Sequence, residues 1–183
     1  KPAKTTTISY RDALEALYVL DPVPAWIPTR NHIAELALAP KHHLVDPSLA
    51  ASVHGLSADA LLEGDQGGTR IPRDGTFLGA LFESLVTLGV RVLADAAEAS
   101  VAHFRTQRGE HEVDLIAERA DERVVAIEVK LSQVVYDDDI KHLLWLRNVL
   151  GDSLLDSVVI TAGPNAYRRK DGIAVVPAAL LGP

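Results

Sequence analysis

The stretch HEVDLIAERADERVVAIEVK, residues 111–130, decides the fold. Each half alternates apolar and polar residues with a period of two, as half-buried β-strands do, and RADE at 119–122 reads as the turn between them. In the first half Asp114 falls on one side with Glu112 and Ile116, while Val113, Leu115 and Ala117 point the other way. In the second half Glu128 and Lys130 share a side with Val124 and Ala126, opposite the wholly apolar Val125, Ile127 and Val129. Strands joined by a short turn pair antiparallel, so Asp114 is expected across from Glu128 and Lys130 in a cluster at least half buried.

Working outward, residues 100–106 predict a further strand, joined to the first by the turn QRGE at 107–110. Upstream, residues 77–93 predict a helix whose apolar stripe is Leu78, Leu81, Phe82, Leu85, Leu88 and Val92. Downstream, residues 137–150 return to helical spacing, with Ile140, Leu143, Leu144 and Leu150 inward and Gly151 as the stop. Two short strands, 157–161 and 173–176, flank a polar loop carrying Arg168, Arg169 and Lys170. This order is that of an α/β fold, a mixed sheet flanked by helices.

The N-terminal part reads differently. Residues 8–20 predict a helix with Tyr10, Leu14, Leu17 and Tyr18 at helical spacing, capped by Thr7 or Ser9 and halted by Asp21-Pro22-Val23-Pro24. Trp26 reads as a packing anchor, residues 41–46 as a short strand, and Asp46-Pro47-Ser48 as the cap of a brief helix. The stretch 65–74, DQGGTRIPRD, has glycines, a proline and charges without periodicity, and reads as a linker. The expected division is a helical region over 1–73 and an α/β domain over 74–183, with neither an internal repeat nor a low-complexity tract.

Composition narrows the chemistry. At 183 residues and 48% hydrophobic, the chain is long and apolar enough to build a core. The net charge of -7 speaks against coating nucleic acid or membrane by bulk electrostatics, although a local basic groove remains open. The absence of cysteine excludes disulfides, thiolate metal sites and cysteine nucleophiles. Apolar runs such as 158–161 and 173–181 are far short of a membrane span and no signal peptide opens the chain, so the expectation is a soluble cytoplasmic domain with no membrane partner. The chain holds no methionine and opens on Lys1-Pro2, which reads as a piece of something longer.

Two carboxylates held together repel, and one takes up a proton unless a cation sits between them. For Asp114 and Glu128 a hard divalent ion, Mg²⁺ or Mn²⁺, is the natural oxygen-bound partner. Lys130 on the same side would orient a water and stabilise charge building on a phosphate. Glu83, at the edge of the helix's apolar face, offers a third acid. Taken singly these are weak signals, since a Glu-x-Lys on a strand is often an exposed pair and an Asp in a hairpin is commonplace. Histidine gives less: His42 and His43 face opposite ways on one strand, and His103, His111 and His142 are dispersed, so no zinc site is expected. A Ser-His-Asp arrangement and a G-x-S-x-G elbow are also lacking.

The order Glu83, Asp114, Glu128-Val129-Lys130 resembles the signature of the PD-(D/E)xK nuclease superfamily, which includes restriction endonucleases and archaeal Holliday-junction resolvases. FRTQRGEHEVDLI at 104–116 and VVAIEVKLS at 124–132 resemble, more specifically, the domain of unknown function 4143 found at the C-terminal end of many bacterial and archaeal AAA-type ATPases. The likeness extends to ISYRDALEALYVL at 8–20, to PKHHLVDPSLA at 40–50, similar to that family's lysine-x-x-x-x-aspartate strand, and to the closing strand GIAVVPAALL at 172–181.

The resemblance implies a restriction-endonuclease-like mixed sheet flanked by helices, preceded by a small, partly winged-helix-like helical region. It makes Asp114 and Glu128 metal ligands for Mg²⁺ or Mn²⁺, Lys130 the catalytic lysine and Glu83 the helical acid of the first motif. Arg105 and Glu112 match polar positions that recur beside these motifs, and Val113 stands where the signature has proline. It also implies an N-terminal AAA-type ATPase as partner, and ATP only through that missing part, because the glycine-rich run at 64–68 lacks the lysine of a P-loop.

Three readings follow: a metal-dependent nuclease acting on DNA or RNA, a non-catalytic regulatory or docking domain of the ATPase, and a DNA-binding module that cuts nothing. Arg168, Arg169 and Lys170, with Arg105 and Arg108, read either as a phosphate-contacting rim or as a solvated loop. The helix at 8–20 has only Arg11 inside it and suits packing, against the ATPase or the nuclease-like core, better than groove insertion. The deciding expectation is geometric. The carboxyl groups of Asp114 and Glu128 should lie close enough to share one ion, with the Lys130 ammonium beside them.

Overall fold

The alternating stretch forms the heart of a six-stranded mixed sheet in a computed structural model that describes residues 4–28, 39–63, 76–106 and 108–182. In chain order the elements are α1 (Lys4–Ala16), β1 (Leu20–Val23), β2 (Lys41–Leu44), α2 (Ser48–Val53), α3 (Ala58–Glu63), α4 (Thr76–Ala96), β3 (Ala99–Arg105), β4 (Glu112–Arg119), β5 (Val124–Lys130), α5 (Asp137–Leu150), β6 (Leu154–Thr161), β7 (Tyr167–Arg168) and β8 (Ala174–Pro177). The sheet runs β3-β4-β5-β6-β8-β7. β3, β4 and β5 pair antiparallel, β5, β6 and β8 are parallel, and β7 closes the edge antiparallel to β8. The parallel step from β5 to β6 is crossed by α5, as a parallel connection requires.

Each face of the sheet carries one core. Ile116, Val124, Ala126, Val159 and Val175 pack with Ile140, Leu143 and Leu146 of α5, joined by Trp26 and Phe104 edge to face at 6.0 Å. Leu115, Ile127, Val129 and Ile160 pack on the other face against Val86 and Val90 of α4, with Val23 of β1. Trp26 is thus the packing anchor its position suggests. The helix α5 starts where three acids, Asp137, Asp138 and Asp139, meet its N-terminal dipole, and the Tyr136 N–H donates to Asp139 Oδ2 at 2.8 Å. It stops at Gly151, whose φ of 53° a side chain would resist.

The helix at residues 77–93 forms as expected but buries a different side. Phe82, Val86, Val90 and Ala94, four apart, face the sheet, whereas Leu85 and Val92 are 56% and 62% exposed. The helix is apolar nearly all round, so its periodicity does not single out one stripe. By length and composition Phe77–Ala96 is also long and apolar enough to cross a membrane, a case the shorter runs did not raise; here it lies along β3 and β5.

The region before the sheet also departs from its pattern. The helix expected over 8–20 runs instead over Lys4–Ala16, with Thr7 and Ser9 inside it, and residues 20–23, expected as its last residue and its stop, form β1 and pair antiparallel with β2. The apolar stripe of α1 does not reach the core: Tyr10, Leu17 and Tyr18 are exposed. The two-residue β7 forms inside the polar loop, and the linker at 65–74 lies outside the described residues.

The sheet is broken where the chemistry is expected. Ala102 pairs with Ile116 but Phe104 with Val113, so Asp114 and Leu115 of β4 together face the single residue His103 of β3. This bulge puts Val113 in the same core as Ile116, correcting the strict alternation that assigned them to opposite sides. Freed from β4, the His103 main chain pairs outward instead, accepting from Trp26 N–H at 2.6 Å and donating to the Pro24 carbonyl at 2.8 Å.

Candidate functional site

Past the bulge the β4–β5 ladder ends with Leu115 opposite Ile127. Where the next main-chain bond would fall, Asp114 supplies its side chain: Oδ2 accepts the Val129 N–H at 3.0 Å. The aspartate therefore stands in for a backbone acceptor and is held firmly, with its other oxygen directed away from the strand pair. A bulge beside a site commonly re-aims a side chain in this way.

Oδ1 of Asp114 meets a residue that the strand pattern did not single out. The Lys41 ammonium, from β2, donates to Asp114 Oδ1 at 3.1 Å and to Glu83 Oε1 at 2.9 Å, and stands 3.3 Å from Glu112 Oε1. One cation thus gathers acids from α4 and β4. Burial opposes its charge, but Asp114 and Glu83 outweigh burial and hold the Lys41 pKa above the ordinary lysine value. The likeness of residues 40–50 to a lysine-x-x-x-x-aspartate strand marks Lys41 and Asp46 in the sequence, but not the acids that Lys41 meets.

Glu128 completes the cluster from β5. It is 4% exposed, hydrogen-bonded to Asp114 and paired with Lys130, whose Nζ lies 3.2 Å from its Oε2. Burial and then the Asp114 carboxylate push the Glu128 pKa from 4.5 up to about 8, and Lys130 offsets this only in part. The Glu128 carboxyl is therefore protonated at neutral pH and donates to Asp114. Burial works against the Lys130 ammonium, but Glu128 prevails and raises its pKa.

Asp114, Glu128, Lys130 and Glu83 are thus brought into one contiguous set, with Glu112 and Lys41 added. Arg105, exposed, borders the set 3.8 Å from Glu112 Oε2. Arg168 is bound bidentate to Asp156 at 2.8 and 2.9 Å, and Asp156 pairs with Val125, at the other end of the parallel ladder from Lys130. Arg169 is 17% exposed and engaged with Asp137, Asp171 and the Val135 carbonyl. Lys170 follows in the same segment and is exposed.

Among the described residues no set of three or more acidic or imidazole side chains forms a ready metal cage. A Mg²⁺ ion does not need one, because it is commonly held by one or two carboxylates and completed by waters and substrate phosphates. The donor set beside Lys41 fits that demand. Asp114 and Glu128 share a proton where a cation would satisfy both, and each carboxylate oxygen has lone pairs beyond those now engaged.

Two histidines judged dispersed in sequence are neighbours in space. His111 and His142 place their Nδ1 atoms 3.2 Å apart, and His111 stacks on Trp145 with centroids at 3.9 Å. The tertiary packing of α5 over β4 makes this contact, which no spacing along the chain encodes. His42 and His43 do face opposite ways, the first to Glu15 at 2.9 Å and the second, buried, to Ser84 at 3.2 Å.

Residues 78–181 match the family described as Domain of unknown function (DUF4143), more than half of the chain, and the chain belongs to that family. No curated protein matches it.

Proposed function

We propose that this DUF4143 domain is a metal-dependent nuclease that hydrolyses phosphodiester bonds in DNA or RNA, with Asp114, Glu128 and Lys130 at its centre. The observation that carries the reading is the continuity of the cluster: Glu83, Asp114 and Glu128 come from three elements and are linked through Lys41, a carboxyl–carboxylate bond and Lys130. The resemblance to PD-(D/E)xK nucleases names Glu83, Asp114, Glu128 and Lys130 of this set and implies a restriction-endonuclease-like fold.

In this reading Asp114 and Glu128 hold Mg²⁺ or Mn²⁺, which supplies Lewis-acid polarisation of the phosphate and a more acidic water. The chain's own residues do the rest. The Val129 N–H fixes the Asp114 carboxylate in one orientation. Lys130, steadied by Glu128, offers an ammonium to the developing negative charge and orients the attacking water. Arg105, on the rim, is available to a neighbouring phosphate. Arg168 and Arg169 are engaged with acids, so phosphate contact there requires exchange of those partners.

A docking role for the same domain draws on a separate observation. Tyr10, Leu17 and Tyr18 around α1 and Leu85 and Val92 on α4 expose apolar surface beyond what the fold needs. This surface suits the N-terminal AAA-type ATPase that the resemblance implies, with the cytoplasm as the setting. ATP would bind only through that partner.

The test is cleavage of labelled single- and double-stranded DNA and RNA, with calorimetric titration of Mn²⁺ alongside. Wild-type protein should cut one of these substrates only with Mg²⁺ or Mn²⁺ present. Lys130→Met should lower the rate on the order of 100-fold with Mn²⁺ binding retained, and Asp114→Ala should lose both activity and binding heat. Cleavage that persists in EDTA, or equally in Asp114→Ala, would overturn the reading.

A further inference from the structure

Three carboxylates converge on one point of the site, and a protein side chain already fills it. The Lys41 ammonium has three N–H donors and three acidic neighbours, Glu83, Asp114 and Glu112, at 2.9, 3.1 and 3.3 Å. We infer that Lys41 is the permanent cation of this centre, occupying the seat that Glu83, Glu112 and Asp114 would otherwise offer a metal, so that the centre takes a single divalent ion, on its Asp114–Glu128 side. The location of that ion rests on the function proposed above; the occupancy by Lys41 does not.

The backbone that carries Lys41 is anchored. Its residue pairs with Val23 across the β1–β2 ribbon, and Val23 is fully buried in the core beneath α4. Two residues on, His43 is buried against Ser84 of α4, the residue next to Glu83, and His42 between them is tied to Glu15 of α1. The lysine is thereby delivered to Glu83 by the same contacts that seat the ribbon on the helix. Its side chain is 28% exposed, too enclosed to leave the acids without leaving their charge uncompensated.

Distances and charge agree on a single ion. Mg²⁺ draws oxygens to about 2.0–2.1 Å, so it and an ammonium cannot share one set of three carboxylates. The cluster sets four acids, Glu83, Glu112, Asp114 and Glu128, against three cations, Lys41, Lys130 and Arg105. With the Glu128 proton in place these charges balance, and one divalent ion that displaces that proton leaves a single positive charge, suited to a phosphate. A second would have to displace Lys41.

Calorimetric titration of Mn²⁺ into wild type, Lys41→Met and Lys41→Arg tests the inference. One ion per chain is expected in wild type and Lys41→Arg, and two in Lys41→Met. Lys41→Gln, neutral but still a hydrogen-bond donor, replaces Lys41→Met if circular dichroism shows that variant unfolded. Two ions in wild type, or none in any form, would overturn the inference. No ion in wild type but one in the neutral variant would keep the Lys41 assignment and remove the metal reading of Asp114 and Glu128. One ion in both would do the reverse.

Discussion

Stripped of divalent ions, the protein should lose on the order of 4 kcal/mol of the stability contributed by Glu128 as pH rises from about 5 to 8, and Glu128→Gln should abolish that loss. The cause is the carboxyl of Glu128, 4% exposed, whose pKa is raised from 4.5 to about 8 by burial and by the Asp114 charge. The folded state holds this proton where the unfolded chain has released it. Its contribution is therefore complete below the unfolded value, and it is lost as pH climbs through the folded one. His43, His103 and His142 act in the opposite sense: burial lowers their pKa values, so their neutral forms favour the fold above the ordinary histidine range. Urea unfolding in EDTA at several pH values, with the difference between wild type and Glu128→Gln read between pH 7 and 8, isolates the glutamate from the histidines. Adding Mn²⁺ should restore wild-type stability at pH 8, because a cation then serves both carboxylates. A wild-type profile that parallels Glu128→Gln at every pH would show that no such proton is held.

Leu143→Ala and Leu115→Ala should each cost about 3 kcal/mol, and the double variant close to the sum. Both side chains are fully buried, but they belong to different cores. Leu143 of α5 packs on one face of the sheet, and Leu115 of β4 on the other with Val86 and Val90 of α4. The cavities left by the two truncations are separated by the sheet and share no wall. Since a domain of this size holds about 5–15 kcal/mol in all, the double variant should be partly unfolded at 25 °C. Denaturant midpoints of the two single variants and the double measure this directly. A double variant no less stable than either single one would mean that the two faces form one cooperative packing unit.

The sheet and its helices were legible because period and length are local properties. The strands at 99–105, 112–119 and 124–130 and the helix at 137–150 fall within a few residues of where alternation and helical spacing put them. The facing of α4 was not legible. Leu81, Leu85, Leu88 and Val92 form as convincing a stripe as Phe82, Val86, Val90 and Ala94, and only the sheet chooses between them. β7 escaped notice because two residues are too few to show a period. The membership of Val113 was misread because one extra residue in β4 reverses alternation beyond it, and nothing in VDL announces the bulge.

The site divides along the same line. The sequence by itself determined that an acid on a helix and two acids and a lysine on adjoining strands would belong to one α/β unit, because motif order and alternation travel with the chain. Tertiary structure alone decided that Lys41, seventy-three residues from Asp114, would sit among the acids. It also decided that His111 and His142 would touch, and that Arg168 would be turned to Asp156. Each of these is a contact between elements. It depends on how a ribbon sits on a helix, how a helix crosses a strand, or which end of a sheet a loop reaches. Those relations are set by packing of the two cores, and no residue type or spacing along the chain records them.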